Sequence, residues 1–411
     1  MDVGALLQPP AANRTSSPPL QTDRRNVLLL ACCQALLLTN TVTLISIGAL
    51  AGYQLTDVKA LATLPAATYV IGAAASTVPA SLWMKRVGRR NGFLLGGLFG
   101  LAGSVVAAAA MGLGHFALLC VGTFLLGIYN AFGQYYRFAA ADAARPDFRA
   151  RAISLVLAGG LVGGIVGPEI SKHTRGLAAT PYLASYASLF IFCLIAMAIV
   201  SRLDIPKPGP DADAGVPRPL AQIAAQPVFV VAVAVAALGY ATMNLLMTAT
   251  PLAMGFCGLP YSASAGVISS HVVAMFAPSF FTGSLIKRFG VLPVMGCGIV
   301  AFAGCIGMAL SGQALIHFWV ALVLLGIGWN FTYIGGTTLL TEAYRPEEKA
   351  KAQGANEIAI FTVQAVSAFS SGVLVNRAGW TTLNLVAVPL VVASALAIAW
   401  LAWRRRAPAF A

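Results

Sequence analysis

The stretch Asp142-Ala-Ala-Arg-Pro-Asp-Phe-Arg-Ala-Arg151 returns 200 residues later as Glu342-Ala-Tyr-Arg-Pro-Glu-Glu-Lys-Ala-Lys351. An acid, an Arg-Pro pair, a second acid and two bases stay in register. Apolar helices resemble one another by chance; polar loops in register do not. Two further pairs keep nearly the same offset. Lys85-Arg86-Val87-Gly88 recurs as Lys287-Arg288-Phe289-Gly290, and Leu-Leu-Gly-Ile at 125–128 recurs at 324–327, followed by Asn130 and Asn330. The chain is an internal duplication.

Outward from these loops the sequence is apolar. Of 411 residues 58% are hydrophobic and only 9% charged, with mean hydropathy +0.81. Soluble domains carry about 25% charged residues, so a soluble domain is excluded, as are a disordered chain and a disulfide-stapled module. The seven cysteines form no C-x-x-C pair and read as small core hydrophobes. A membrane-spanning helix needs about 20 apolar residues. Twelve runs qualify: 27–51, 60–83, 92–113, 116–141, 152–168, 182–201, 228–254, 262–286, 291–312, 315–340, 352–375 and 380–403. The prediction is an all-α membrane protein of two six-helix halves. An even number of spans per half makes the repeats parallel, related by an axis along the membrane normal.

The polar remainder sets the boundaries. Residues 1–24 read as a disordered tail, 25–203 as the first half and 204–225, with five prolines, as a linker. Residues 226–403 form the second half and 404–411 a short tail. The net charge is +13. With the N-terminus inside, cytoplasmic segments hold 21 Lys and Arg and outer loops 4. The positive-inside rule then places both termini in the cytoplasm. The abundant Ala and Gly point to a bacterial inner membrane. The partners expected are a lipid bilayer and a small-molecule solute, with no nucleic acid, and the protein is read as a monomer without a cofactor.

The repeated loops carry a resemblance. Ser81-Leu-Trp-Met-Lys85-Arg86-Val87-Gly88-Arg89-Arg90 is similar to the signature between helices 2 and 3 of the major facilitator superfamily, with Ser81 and Lys85 departing from it. Asp142, Arg149, Arg151 and Ala152 match that family's helix 4–5 pattern, and Gly163, Gly167 and Pro168 its helix 5 motif. The resemblance covers about residues 27–403. It implies the twelve-helix transporter fold, alternating access, and a cavity lined by helices 1, 4, 7 and 10. It also implies a cytoplasmic gate of Lys85, Arg86, Arg89, Arg90, Asp142, Arg149, Lys287, Arg288 and Glu342. Because Lys85 stands where the family has an acid, Lys85 and Glu357 read either as a charge-swapped latch or as ordinary interfacial charges.

Polar groups inside a membrane are costly and concentrate at functional sites. Asn130, Gln134 and Arg137 share one face of helix 4, and Tyr240, Asn244 and Thr248 one face of helix 7. Helix 1 offers Gln34, Asn40 and Thr41; helix 10 offers Trp329, Asn330 and Tyr333. These, with Tyr69 and His271, are the candidate substrate residues. Arg137 reads either as an anion-binding or gating group or as a side chain reaching the inner interface. His271 is either a proton carrier or a neutral core histidine. Glu357 and Glu169 are the other proton-carrier candidates. The chain holds no H-E-x-x-H, G-x-S-x-G or P-loop, so neither an embedded enzyme nor direct ATP drive is expected. A secondary transporter of a small organic solute is the first reading and an uncoupled facilitator the second. A neutral or anionic, partly aromatic solute suits the residues.

Overall fold

The computed structural model describes residues 20–145, 149–205, 218–345 and 348–406. It is helical throughout these segments. The first half contains α1 (Leu20–Leu55), α2 (Leu64–Val87), α3 (Arg89–Leu113), α4 (Phe116–Gly133), α5 (Tyr136–Ala143), α6 (Arg149–Thr174) and α7 (Leu183–Val200). The second contains α8 (Leu220–Ala224), α9 (Pro227–Phe256), α10 (Tyr261–Phe276), α11 (Ser279–Phe289), α12 (Val291–Ser311), α13 (Leu315–Leu340) and α14 (Lys349–Arg406).

Ten of the described helical segments are long and apolar enough to span a bilayer, and the bent pair α10–α11 makes an eleventh. α14 is 58 residues long. At 1.5 Å per residue that is about 87 Å, far beyond a hydrocarbon core of about 30 Å. It is broken at Gly379 (φ 78°, ψ 177°), so it makes two passes. With α14 counted as two passes, the described segments are consistent with the twelve expected from the sequence.

Several runs differ from the expected ones. The helix 4 run breaks at Gln134–Tyr135, and the helix 8 run breaks at Ala277–Pro278, where a proline interrupts the ladder. α1 starts at Leu20, inside the stretch read as tail, and α14 continues through Arg404–Arg406. The linker's last turns form α8; residues 206–217 lie outside the described segments.

The duplication is visible in the backbone. Gly88 and Gly290, both from Lys-Arg-x-Gly, have φ/ψ of 90°/161° and 90°/160°. Each is a one-residue connection between antiparallel helices, in a conformation that a side chain disfavours.

Within each half, helices approach closely through small residues, the usual mode of packing in lipid. Between the halves, α14 packs against α2, α10 against α6 and α1 against α9. Cys33, Cys193 and Cys305 are buried, Cys120 and Cys257 partly so, and Cys32 and Cys297 exposed.

Candidate functional site

The two halves meet unevenly. Three hydrogen bonds between the halves, at two places, lie at the end away from the Lys-Arg loops. Thr63 Oγ1 donates to the Phe369 carbonyl (3.3 Å), the Gly372 amide donates to Thr63 Oγ1 (3.0 Å), and Tyr261 Oη donates to Ser171 Oγ (2.6 Å). The Arg175 guanidinium lies over the Tyr261 ring at 4.8 Å and the Tyr182 ring at 5.4 Å. At the basic end, Arg89–Asp142 (3.0 Å), Arg218–Glu348 (2.6 Å) and Arg405–Glu342 (2.6 Å) each stay within one half or its flanking segment. The far end is sealed by cross-half contacts.

Between the halves α9 and α13 raise an aromatic cluster. Trp329 and Tyr333 stack with centroids 4.8 Å apart at 12°. Their i, i+4 spacing places them one turn apart on α13. Tyr240 meets both rings edge-on, at 5.4 and 5.5 Å, and Phe276 meets Trp329 at 5.9 Å. Trp329 is buried with its indole N–H unpaired, a donor without an acceptor. Beside the cluster, α14 presents Asn356, Glu357, Ile360 and Gln364 at helical spacing. Ile360 packs with Tyr240 and Tyr333. Arg137, on α5 of the other half, is close enough for its charge to act on Glu357 and Tyr333.

Other sequence-selected residues turn inward to their own half. Asn330 is fully buried: it donates to the Met275 carbonyl (2.6 Å) and Ser279 Oγ (2.7 Å) and accepts from Thr282 Oγ1 (2.7 Å). It satisfies the backbone freed at the α10–α11 break, and both of its amide donors are used there. His271 is also fully buried inside the second half, with Nδ1 2.7 Å from the Leu322 carbonyl and Nε2 unpaired. With Nδ1 facing a carbonyl oxygen, a proton sits on Nδ1. The ring is turned toward α13 of its own half. Asn40 donates to Cys193 Sγ (3.2 Å), and Thr41 shares a hydrogen bond with Tyr69 Oη (2.8 Å). Asn244 donates to the Gln364 carbonyl (2.9 Å) and Ser367 Oγ (3.1 Å), with Thr248 behind it at 3.5 Å, pinning α9 to α14. Gln34 is half-buried between α1 and Gly160 of α6. Gln134, at the end of α4, is exposed and donates to Asn130 Oδ1 (3.2 Å).

Glu169 is exposed at the far end beside Lys172 (3.2 Å) and His173 (3.4 Å), a surface cluster rather than a buried carrier. The latch from Lys85 to Glu357 is not made: Lys85 is exposed, and the cation acting on Glu357 is Arg137. Arg86, Arg90, Lys287 and Arg288 are exposed, and Arg288 covers the Phe289 ring. The side chain of Arg149 lies outside the described residues. Sequence reading missed Gln364. The available signal was its spacing of seven from Glu357, which places both on one face of α14.

Comparison with known proteins agrees with this architecture. The sequence profile of the Major Facilitator Superfamily matches residues 27–281 and 258–409. A riboflavin transporter, RfnT, from Brucella anthropi is 42% identical over 371 residues, which is 90% of this chain and 93% of that protein. An uncharacterized MFS-type transporter, YdeG, from Bacillus subtilis is 28% identical over 83% of this chain and 84% of its own length. Among solved structures, the nucleoside transporter NupG superposes with a TM-score of 0.71 at 15% identity, covering 91% of this chain and 98% of that one. A bacterial homolog of the lysosomal transporter Spinster, in an inward-facing, unoccupied conformation, gives 0.69 at 13%, covering 93% and 98%.

Proposed function

The chain belongs to the major facilitator superfamily, and on that premise we propose that it carries riboflavin across the membrane by alternating access. The observation that carries this reading is the 42% identity to a riboflavin transporter along nearly the whole of both chains. The geometry supports it in kind. Riboflavin is an uncharged, planar tricycle with a polyhydroxyl chain. A stacked Trp329–Tyr333 pair with Tyr240 at its edge offers a π-face, and Gln364 offers an amide. Ligand sites of this kind combine an apolar aromatic wall with a few placed polar groups.

With the basic end in the cytoplasm, as the loop charges favour, the sealed end is the outer one. The conformation described is then closed to the outside. Opening requires breaking the Thr63, Tyr261 and Arg175 contacts while the basic ends of the halves approach. An uncoupled facilitator is the second reading, favoured by the turn of His271 toward its own half.

The test is uptake of radiolabelled riboflavin into a bacterial strain that neither makes nor imports it. Expression of this chain should restore uptake and growth at low riboflavin. A folded, membrane-inserted protein that restores neither would refute the reading. Collapse of the proton gradient separates the coupled form, which loses accumulation, from the facilitator, which keeps equilibration.

A further inference from the structure

Arg137 and Glu357 bring opposite charges to the interface from opposite halves, yet they form no ion pair with each other among the described residues. The Arg137 guanidinium rests over the Phe138 ring at 4.8 Å, and its Nε is buried without a hydrogen-bond partner. Glu357 enters none of the ion pairs described for the chain. It lies eight residues into α14, about 12 Å from that helix's basic end. Its charge acts on Tyr240, Tyr333 and Tyr135, so it stands at the rim of the aromatic cluster. Arg137 reaches Tyr333 from the other side within hydrogen-bonding range of its hydroxyl, and Glu357 takes one hydrogen bond from Asn356, which leaves each charge with hydrogen-bonding capacity to spare. A carboxylate and a guanidinium therefore flank the stacked pair without closing on each other.

Charges withdrawn from water need hydrogen-bond partners. The carboxylate needs an N–H donor and the guanidinium a carbonyl or other acceptor. A group that fits between them has a donor directly beside an acceptor. The flavin ring system has that edge: an imide N–H between two carbonyls, in the plane of the ring. A ring laid against Tyr333 and Trp329 can turn this edge toward the two charges.

Resting on the riboflavin reading, we propose that Arg137 and Glu357 read the imide edge of the flavin, Glu357 accepting its N–H and Arg137 donating to an adjacent carbonyl. The two residues then determine specificity. Sites that hydrogen-bond a substrate group reject analogues lacking it far more strongly than apolar pockets reject a change of size, because their own polar groups are left unpaired. The pair also joins the halves through the substrate, so a bound flavin favours approach of the basic ends.

The experiment uses purified full-length protein and quenching of flavin fluorescence, with riboflavin and riboflavin methylated at the imide nitrogen as probes. Wild type should bind riboflavin and bind the methylated compound about a hundredfold more weakly. Glu357→Leu should bind both weakly and lose the preference. Glu357→Gln, which keeps an acceptor oxygen, should retain a preference at reduced affinity and serves if the Leu variant does not fold. Equal binding of the two compounds by wild type overturns the proposal, as does an undiminished preference in Glu357→Leu. Recovery of riboflavin uptake by Arg137→Glu combined with Glu357→Arg overturns it as well, because the pair then acts by closing on itself. If wild type binds no riboflavin, the riboflavin reading fails together with this one. Riboflavin bound without discrimination at the imide fails this one alone.

Discussion

Gly326 packs directly against the backbone of His271: a methyl group at Gly326 would stand 2.6 Å from the His271 carbonyl oxygen. The other half repeats the contact, where a methyl at Gly127 would stand 2.0 Å from the Tyr69 carbonyl oxygen. Both glycines are the third residue of Leu-Leu-Gly-Ile, and Tyr69 and His271 are repeat counterparts, 202 residues apart. The duplicated sequence thus encodes a duplicated contact, α4 on α2 and α13 on α10. Backbone atoms cannot yield to a methyl as the end of a flexible side chain can. Gly326→Ala should therefore destabilise by about 1–3 kcal/mol, the usual range for overpacking. Gly307→Ala, which faces open space, should not. Thermal unfolding in detergent compares the two, and equal midpoints would count against the close approach.

His271 should not set the pH dependence of transport. Its Nδ1 faces the Leu322 carbonyl, an acceptor that requires the proton to stay, and Nε2 faces no acceptor for a second one. His271→Asn can still donate to that carbonyl. The pH profile of riboflavin uptake between about pH 5 and 8 should keep its shape in this variant. A displaced midpoint would identify His271 as a titrating member of the cycle.

The Arg218–Glu348 pair should govern acid stability at the basic end. Arg218 Nε and Nη2 donate to the two carboxylate oxygens at 2.6 and 2.7 Å, and the Arg345 amide adds a third donor at 3.0 Å. Arg218's hydrogen bonds, aided by that amide, hold the carboxyl at about 2 against an ordinary 4.5. A depressed carboxyl contributes stability above its unfolded value and loses it as pH falls through its folded value. Wild type should therefore exceed Arg218→Ala in melting temperature at pH 7, and the gap should narrow as pH falls from about 4.5 toward 2. A gap independent of pH would mean that packing, not the charge, is responsible.

The aromatic pair should contribute to solute affinity. Trp329→Ala removes one ring of the stack, and aromatic pairs contribute about 0.5–1.5 kcal/mol beyond buried area. Riboflavin affinity should fall about tenfold, while Trp329→Phe, which keeps a π-face, should lose less. Flavin fluorescence quenching measures both. Equal losses would argue that size, not stacking, is what the site uses.

The far-end seal should tune the balance between open and closed states. Tyr261→Phe removes the hydrogen bond to Ser171 Oγ but keeps the ring under Arg175. One net hydrogen bond is about 0.5–1.5 kcal/mol, so the state open at that end should rise about two- to tenfold. Spin labels at Gly176 and Gly255, on opposite halves at this end and both facing open space, should show a larger long-distance population in the Phe variant. An unchanged distance distribution would show that this contact does not hold the seal.

The amino-acid sequence alone determined the architecture. Apolar runs of membrane length are a one-dimensional property, and so is the excess of Lys and Arg on alternate loops. The repeats Asp142–Arg151 and Glu342–Lys351 needed no coordinates to reveal two equivalent halves. Helical spacing also picked out Tyr240, Trp329 and Tyr333, which do converge. Only the tertiary structure decided which polar residues face the interface and which face their own half. Asn330 follows Trp329 in sequence, but successive residues on a helix point about 100° apart, and Asn330 is spent on the α10–α11 break. His271 lies at the depth expected of a carrier, yet its rotation about α10 sends it to Leu322. Depth follows from position along the chain. Azimuth relative to another half, and therefore the approach of Arg137 rather than Lys85 toward Glu357, depends on how the two bundles dock.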